Sequence, residues 1–185
     1  MTAVETILVT ADVYKLMPEP TDGTRLELVR GRVVSVPCPN WEWGEIAGNI
    51  GTAIKSFLKQ HPIGRVALRS GVITERNPDT VRGPDVSFMS MARMPLGERM
   101  NKFADQTPDL CVEVLSESNT RRQLNEQIKE YFFTGARMVW VVDPDERSVT
   151  VYREPDRGVL LKEAATLDGG DVLPGFECNV ADLFA

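Results

Sequence analysis

Glu113 stands between Val112 and Val114 in the apolar run "DLCVEVL". A carboxylate inside an apolar strand costs several kcal/mol unless it is neutralised, paired or bound to a metal. Two more acids sit in comparable places. Glu27 lies between Leu26 and Leu28, and Asp85 follows Gly83-Pro84 at the start of "DVSFM". Carboxylates converging from neighbouring strands are what a hard divalent cation requires. Magnesium takes oxygen ligands from one or two carboxylates, from waters and from substrate phosphate. Such an ion lowers the pKa of an attacking water and offsets charge on a phosphoryl group. The structural alternative is that Glu27 and Glu113 are buried and paired with arginines, with Arg25, Arg69 and Arg122 as candidate partners.

The elements that must position these acids follow from patterning. Thr10 to Met17 reads as a short helix capped by Thr10, followed by the breaker-rich "PEPTDG". "RLELVRGRVVSV" alternates apolar and polar residues on either side of Arg30-Gly31, a β-hairpin signal. Trp41 to Gln60 has helical spacing of Ile46, Ile50, Ala53, Ile54, Phe57 and Leu58. "GRVALRSGVITE" and "GPDVSFMS" read as strands separated by a loop over 77–83, and "DLCVEVLS" as another. On a period of two, Cys111, Glu113 and Leu115 share one face of that strand while Leu110, Val112 and Val114 share the other. Apolar residues on both faces imply a central strand covered on both sides.

Arg121 to Thr134 reads as a second amphipathic helix, with a cap at Ser118/Asn119 and an end at Gly135. "MVWVVD", "SVTVYR" and "GVLLKE" are further strands, and the tail "VLPGFECNVADLFA" closes with a short apolar element. No repeat, linker or low-complexity run interrupts the 185 residues. The expected architecture is one mixed α/β domain over 1–185, with a central mixed β-sheet flanked by helices.

The net charge of −6 gives no overall attraction to phosphate, so a nucleic-acid role needs a local basic patch or bound metal ions. Arg65, Arg69, Arg76 and Arg82 precede Asp85 and form the best candidate for such a patch. Three widely spaced cysteines, Cys38, Cys111 and Cys178, read as reduced, packed thiols. The N-terminus lacks a basic leader and no apolar run reaches membrane-spanning length, so the chain is expected to be soluble and cytoplasmic.

"GPDVSF", "DLCVEVLSES", "IKEYFFTGARMVWVVDP" and "LPGF…VADLF", in that order and spacing, resemble the Uma2 family, also called domain of unknown function 820. That family belongs to the PD-(D/E)xK restriction-endonuclease-like superfamily, and "RLELVRGRVV" is similar to its first hairpin. The resemblance runs from about Leu8 to Phe184. It implies a restriction-endonuclease-like fold and a Mg²⁺- or Mn²⁺-dependent endonuclease acting on DNA. The family's PD aspartate falls on Asp85 and the glutamate of its E-V-L-S motif on Glu113. By the same resemblance the Val114 carbonyl is the third metal ligand, and Glu27 an accessory ligand or orienter.

Two departures stand out. The superfamily lysine two residues after the glutamate is Leu115 here. Uma2-like proteins take their lysine from the next helix, four residues before the tyrosine of "KlxxY", and that position is Gln127. Lys129, on the opposite side of the helix from Gln127, is expected to face solvent. The histidine that the family often carries early in the first long helix is Trp43, while His61, the sole histidine, falls at that helix's other end.

These residues support two functions. One is a metal-dependent endonuclease with Asp85, Glu113, Glu27 and Gln127 at its centre, impaired because glutamine donates a hydrogen bond but brings no charge. The other is a degraded nuclease-fold protein acting as a binding or assembly module. DNA contact is expected through Arg69, Arg76 and Arg82. The apolar "DLFA" end and the neighbouring Trp41 and Trp43 suggest a homodimer, although the tryptophans equally suit the mouth of the site. Trp140 reads as core and Asp143-Pro144 as a turn.

Overall fold

A computed structural model describes residues 7–38, 40–97, 99–100, 103–116 and 120–185. Helix α1 (Ala11–Tyr14) starts at the expected Thr10 cap and is shorter than its pattern suggested. Strands β1 (Thr24–Val29) and β2 (Arg32–Pro37) form the expected hairpin. Arg30 and Gly31 both adopt positive φ, 49° and 72°, as a two-residue turn joining twisted strands demands.

Helix α2 (Trp41–Gln60) keeps its predicted bounds, with Asn40 accepting a hydrogen bond from the Trp43 amide at 2.9 Å. Then come β3 (Gly64–Leu68), β4 (Val72–Glu75), β5 (Thr80–Arg82) and β6 (Val86–Ser90). β5 lies where a loop was expected. Three residues are too few to show an alternation, and this strand exists because β1 and β4 flank it.

β7 (Leu110–Val114) leads to helix α3 (Arg121–Phe133) and then to β8 (Met138–Asp143), β9 (Ser148–Glu154) and β10 (Arg157–Lys162). The expected Ser118/Asn119 cap lies outside the described residues. The cap of α3 is Thr120, whose hydroxyl accepts from the Gln123 amide while Gln123 Oε1 accepts from the Thr120 amide. β11 (Thr166–Asp168), β12 (Glu177–Asn179) and a 3₁₀ turn (Val180–Phe184) end the chain.

The six-stranded sheet has the order β10-β9-β8-β7-β6-β3. Its two middle strands, β7 and β8, are parallel, and the other pairs are antiparallel. A parallel pair needs a crossover, and α3 provides it. The expected alternation on β7 holds. Leu110, Val112 and Val114 pack with Ile46, Ile50 and Ile54 of α2, while Cys111 packs with Ile128 and Tyr131 of α3. The mixed α/β prediction is therefore correct.

A second sheet of order β2-β1-β5-β4, backed by α1 through Ala11, Leu28 and Val81, brings Glu27 beside the first. The three cysteines are free, and Trp140 is fully buried. Leu183 is buried and Phe184 packs on the same core as α2, so the apolar end is used within the chain.

Candidate active site

The open end of β7 gathers the acids. Asp85 precedes β6, and its amide donates to the Val112 carbonyl at 2.9 Å. Its Oδ2 accepts from the Val114 amide at 2.8 Å, which fixes the carboxylate, and Oδ1 lies on the side of Arg69, 3.9 Å away. Glu113 points to the α3 face. Its Oε1 accepts from Gln127 Nε2 at 2.9 Å and from the Tyr131 hydroxyl at 2.6 Å. Gln127 Nε2 also lies 3.0 Å from the Tyr131 oxygen, so the three side chains close a ring.

Electrostatics confirms that Asp85 and Glu113 share one locale. Burial pushes Asp85 up to about 6, against the pull of the Val114 amide, Arg25 and Arg69. Burial, then the Asp85 charge, raises Glu113 well above the ordinary carboxylate range, with the Tyr131 hydrogen bond opposing. Two buried carboxylates, the charge of one raising the other and only partly offset by Arg25 and Arg69, favour taking up a proton or a cation.

Glu27 is committed elsewhere. Its two oxygens lie 3.2 Å from Arg25 and 3.7 Å from Arg82, so the arginine-paired alternative holds for this residue. It does not hold for Glu113, whose hydrogen-bond partners are neutral. Arg122, one of the candidate partners, pairs with Glu126 at the surface.

The residues bear out some expectations and revise others. Arg69 lies at the site, 3.9 Å from Asp85 Oδ1. Arg82 is largely buried, gripping Glu130 on α3 at 2.6 Å, and is a strut rather than an open phosphate contact. Arg76 pairs with Asp79 and Asp105, away from the acids. The four arginines therefore do not make one patch. Lys129 faces outward and pairs with Asp156 at 2.8 Å, as expected. His61 caps the end of α2 against Phe57. Asp143 starts a turn, accepting from the Glu146 amide at 3.0 Å.

Two residues that the sequence placed near the site take contacts it did not foretell. Tyr131, the tyrosine of the motif that placed Gln127, donates its hydroxyl to Glu113 in the shortest contact that carboxylate makes; the signal was its place four residues after Gln127. Trp43 is buried, and its indole Nε1 donates to the Val114 carbonyl at 3.0 Å. Trp41, by contrast, is 82% exposed.

The donors suit a hard cation. Asp85 Oδ1, Glu113 Oε2 and the second lone pair of the Val114 carbonyl, whose first accepts from the Trp43 indole, are the oxygens such a cation would use. Among those residues no group of three or more His, Cys, Asp or Glu side chains is placed to hold a metal ion. Two carboxylates and a carbonyl are the set that a Mg²⁺ shared with substrate phosphate uses. A cavity of about 280 Å³ lined by Tyr14, Arg25, Glu27, Arg69 and Arg82 opens beside this point. A larger one, about 1160 Å³, lies beyond the Arg82–Glu130 strut. No described helix is long and apolar enough to cross a membrane.

Comparison with known proteins bears on the fold and the family. A crystal structure described as a putative nuclease belonging to DUF820 from Anabaena variabilis ATCC 29413 superposes with a TM-score of 0.80 at 23% identity. The match covers 95% of this chain and 97% of that one, and shows a common fold. No curated protein matches the chain. The model of the Uma2 family, described as "Putative restriction endonuclease", matches residues 11–181. The chain belongs to the Uma2 family.

Proposed function

We propose that this chain is a Mg²⁺- or Mn²⁺-dependent endonuclease that hydrolyses DNA phosphodiester bonds. The observation that carries the reading is the Asp85–Glu113 pair: two desolvated carboxylates, each with one oxygen held by a hydrogen bond, Glu113 with only neutral hydrogen-bond partners among the described residues and Asp85 with Arg69 no nearer than 3.9 Å. Asp85, Glu113 and the Val114 carbonyl would hold the ion. When bound, it supplies charge to offset the phosphoryl oxygens and acidifies the attacking water.

The chain's own residues do the rest. The Val114 amide fixes Asp85, and Gln127 with Tyr131 fixes Glu113, so both carboxylates are pre-oriented. A water oxygen forms the new bond to phosphorus as the bond to the leaving sugar oxygen breaks. The water's proton passes to solvent, and the departing oxygen takes one from solvent. Gln127 adds no charge to this step, so turnover is expected to be slow, by about 10²–10³-fold relative to a site with a cation there. Glu27 would serve as an orienter, holding Arg25 and Arg82.

A second reading, a nuclease-fold binding module without catalysis, is favoured by one observation: the Trp43 indole already occupies one lone pair of the Val114 carbonyl. A homodimer belongs to the first reading, since cutting both strands of a duplex takes two such sites.

Titration calorimetry with Mn²⁺ and a supercoiled-plasmid assay separate these readings. Wild type should bind and nick, and Asp85→Ala should do neither. Heat without cutting would leave the binding module, and neither heat nor cutting would end the nuclease reading.

A further inference from the structure

Charge that builds on a phosphoryl group during hydrolysis is best met by a preorganised cation in a dry site. Around Asp85 and Glu113 the helix side offers only neutral groups, Gln127 and Tyr131. The opposite side holds three arginines. Arg25 lies 3.2 Å from Glu27 and Arg82 lies 2.6 Å from Glu130, so both are committed.

Arg69 differs from both. Its nearest carboxylate oxygen, Asp85 Oδ1, is 3.9 Å away, too far for a hydrogen bond. Its Nε is buried without a hydrogen-bond partner, as is that of Arg25, but Arg25 has Glu27 at 3.2 Å while Arg69 has no carboxylate nearer than 3.9 Å among the described residues. The guanidinium lies 3.8 Å over the Trp43 ring, the same indole that donates to the Val114 carbonyl. The main chain is held as well: the Arg69 amide donates to the Asp85 carbonyl at 3.2 Å, and Arg69 takes φ 47°, a left-handed conformation that costs a non-glycine residue.

We propose that Arg69, clamped by Trp43 and by the Asp85 main chain, is the catalytic cation of this site, meeting phosphoryl charge from the strand side. The inference rests on the nuclease reading. It turns the open donors of Arg69 from a defect into a place kept for substrate oxygens, and gives Trp43 a positioning role. It also fixes the sign of two effects. A guanidinium beside Asp85 repels a divalent ion before DNA binds, yet attracts the phosphate that arrives with DNA.

The test compares wild type with Arg69→Gln, Arg69→Lys and the double variant Arg69→Gln/Gln127→Lys, by plasmid nicking and Mn²⁺ calorimetry, with thermal unfolding as the check on folding. Arg69→Gln should slow nicking by about 10²–10³-fold while binding Mn²⁺ as tightly as wild type or more so. Arg69→Lys should retain more activity than Arg69→Gln, and the double variant should recover at least about tenfold by bringing a charge from the helix side. A purely structural role would weaken Mn²⁺ binding and nicking together, and that result would overturn the inference. Wild type that nicks alongside an unimpaired Arg69→Gln would also overturn it and leave the nuclease reading intact. Wild type that nicks nothing would remove both.

Discussion

At the scale of single residues, burying the pair Asp85 and Glu113 costs the fold stability once both are ionised. Burial holds Asp85 near 6, above its ordinary 3.8, so between those values the folded chain binds more protons than the unfolded one. Stability contributed by this group is therefore fully present below pH 4 and is lost as pH rises towards 6 and beyond. Glu113, raised further by burial and by Asp85, extends the loss to higher pH. Asp85→Asn keeps an oxygen to accept from the Val114 amide and removes the repulsion. It is expected to stabilise the metal-free chain by about 1–3 kcal/mol at pH 8 and by little at pH 4. Calorimetric melting at the two pH values checks this, and a variant equally stabilised at both would show that the carboxylates do not repel. Added Mn²⁺ should raise the melting temperature of wild type at pH 8 and leave Asp85→Asn nearly unmoved. Tyr131→Phe is the companion case. It deletes a 2.6 Å hydrogen bond to Glu113 and should loosen Mn²⁺ several-fold in calorimetry, at a stability cost of about 1–2 kcal/mol.

At the scale of elements, the site is a meeting of β7, the end preceding β6, and one face of α3, and the second sheet is tied to α3 by a largely buried ion pair. Arg82 on β5 reaches Glu130 on α3 through Nε and Nη2, and the Thr74 hydroxyl joins the same carboxylate. Removing one partner of such a pair strands the other. Glu130→Ala or Arg82→Ala should each cost about 3–5 kcal/mol in urea unfolding, whereas Arg82→Met/Glu130→Leu should cost less than either alone. Arg122→Ala, which breaks an exposed pair on the same helix, should cost under about 1 kcal/mol. Additive single and double effects would mean that the strut is not a coupled pair. The elements with long periodic patterns were legible in the sequence: α2 kept both its bounds, and the two faces of β7 sorted as the period of two required. What was not legible depends on tertiary neighbours. β5 has no pattern of its own, and nothing in the local sequence of Arg82 distinguishes a strut from a phosphate contact. The position of Gln127 followed from counting along a helix, while the Trp43 indole reaching a carbonyl 71 positions away could not.

At the scale of the whole molecule, the proposed function asks an acidic chain to approach an acidic polymer. The net charge is −6, and within the site the described arginines other than Arg69 are spent on carboxylates of the same chain. Association with DNA should then depend on the ion rather than on a basic surface. With Ca²⁺ in place of Mg²⁺, so that binding is read without cutting, a short duplex should bind in fluorescence anisotropy at moderate salt and be released by chelator. The salt slope should be shallow, near −1 to −3, because only about one to three phosphates meet protein cations directly. Asp85→Asn/Glu113→Gln reverses the logic. It abolishes the Ca²⁺ requirement and should bind the duplex more tightly than wild type in chelator, since two negative charges facing the phosphate are gone. If wild type binds equally well with and without Ca²⁺, or if the double variant gains nothing, the duplex is held by a different surface, and the acids on β7 and before β6 are not where DNA meets this fold.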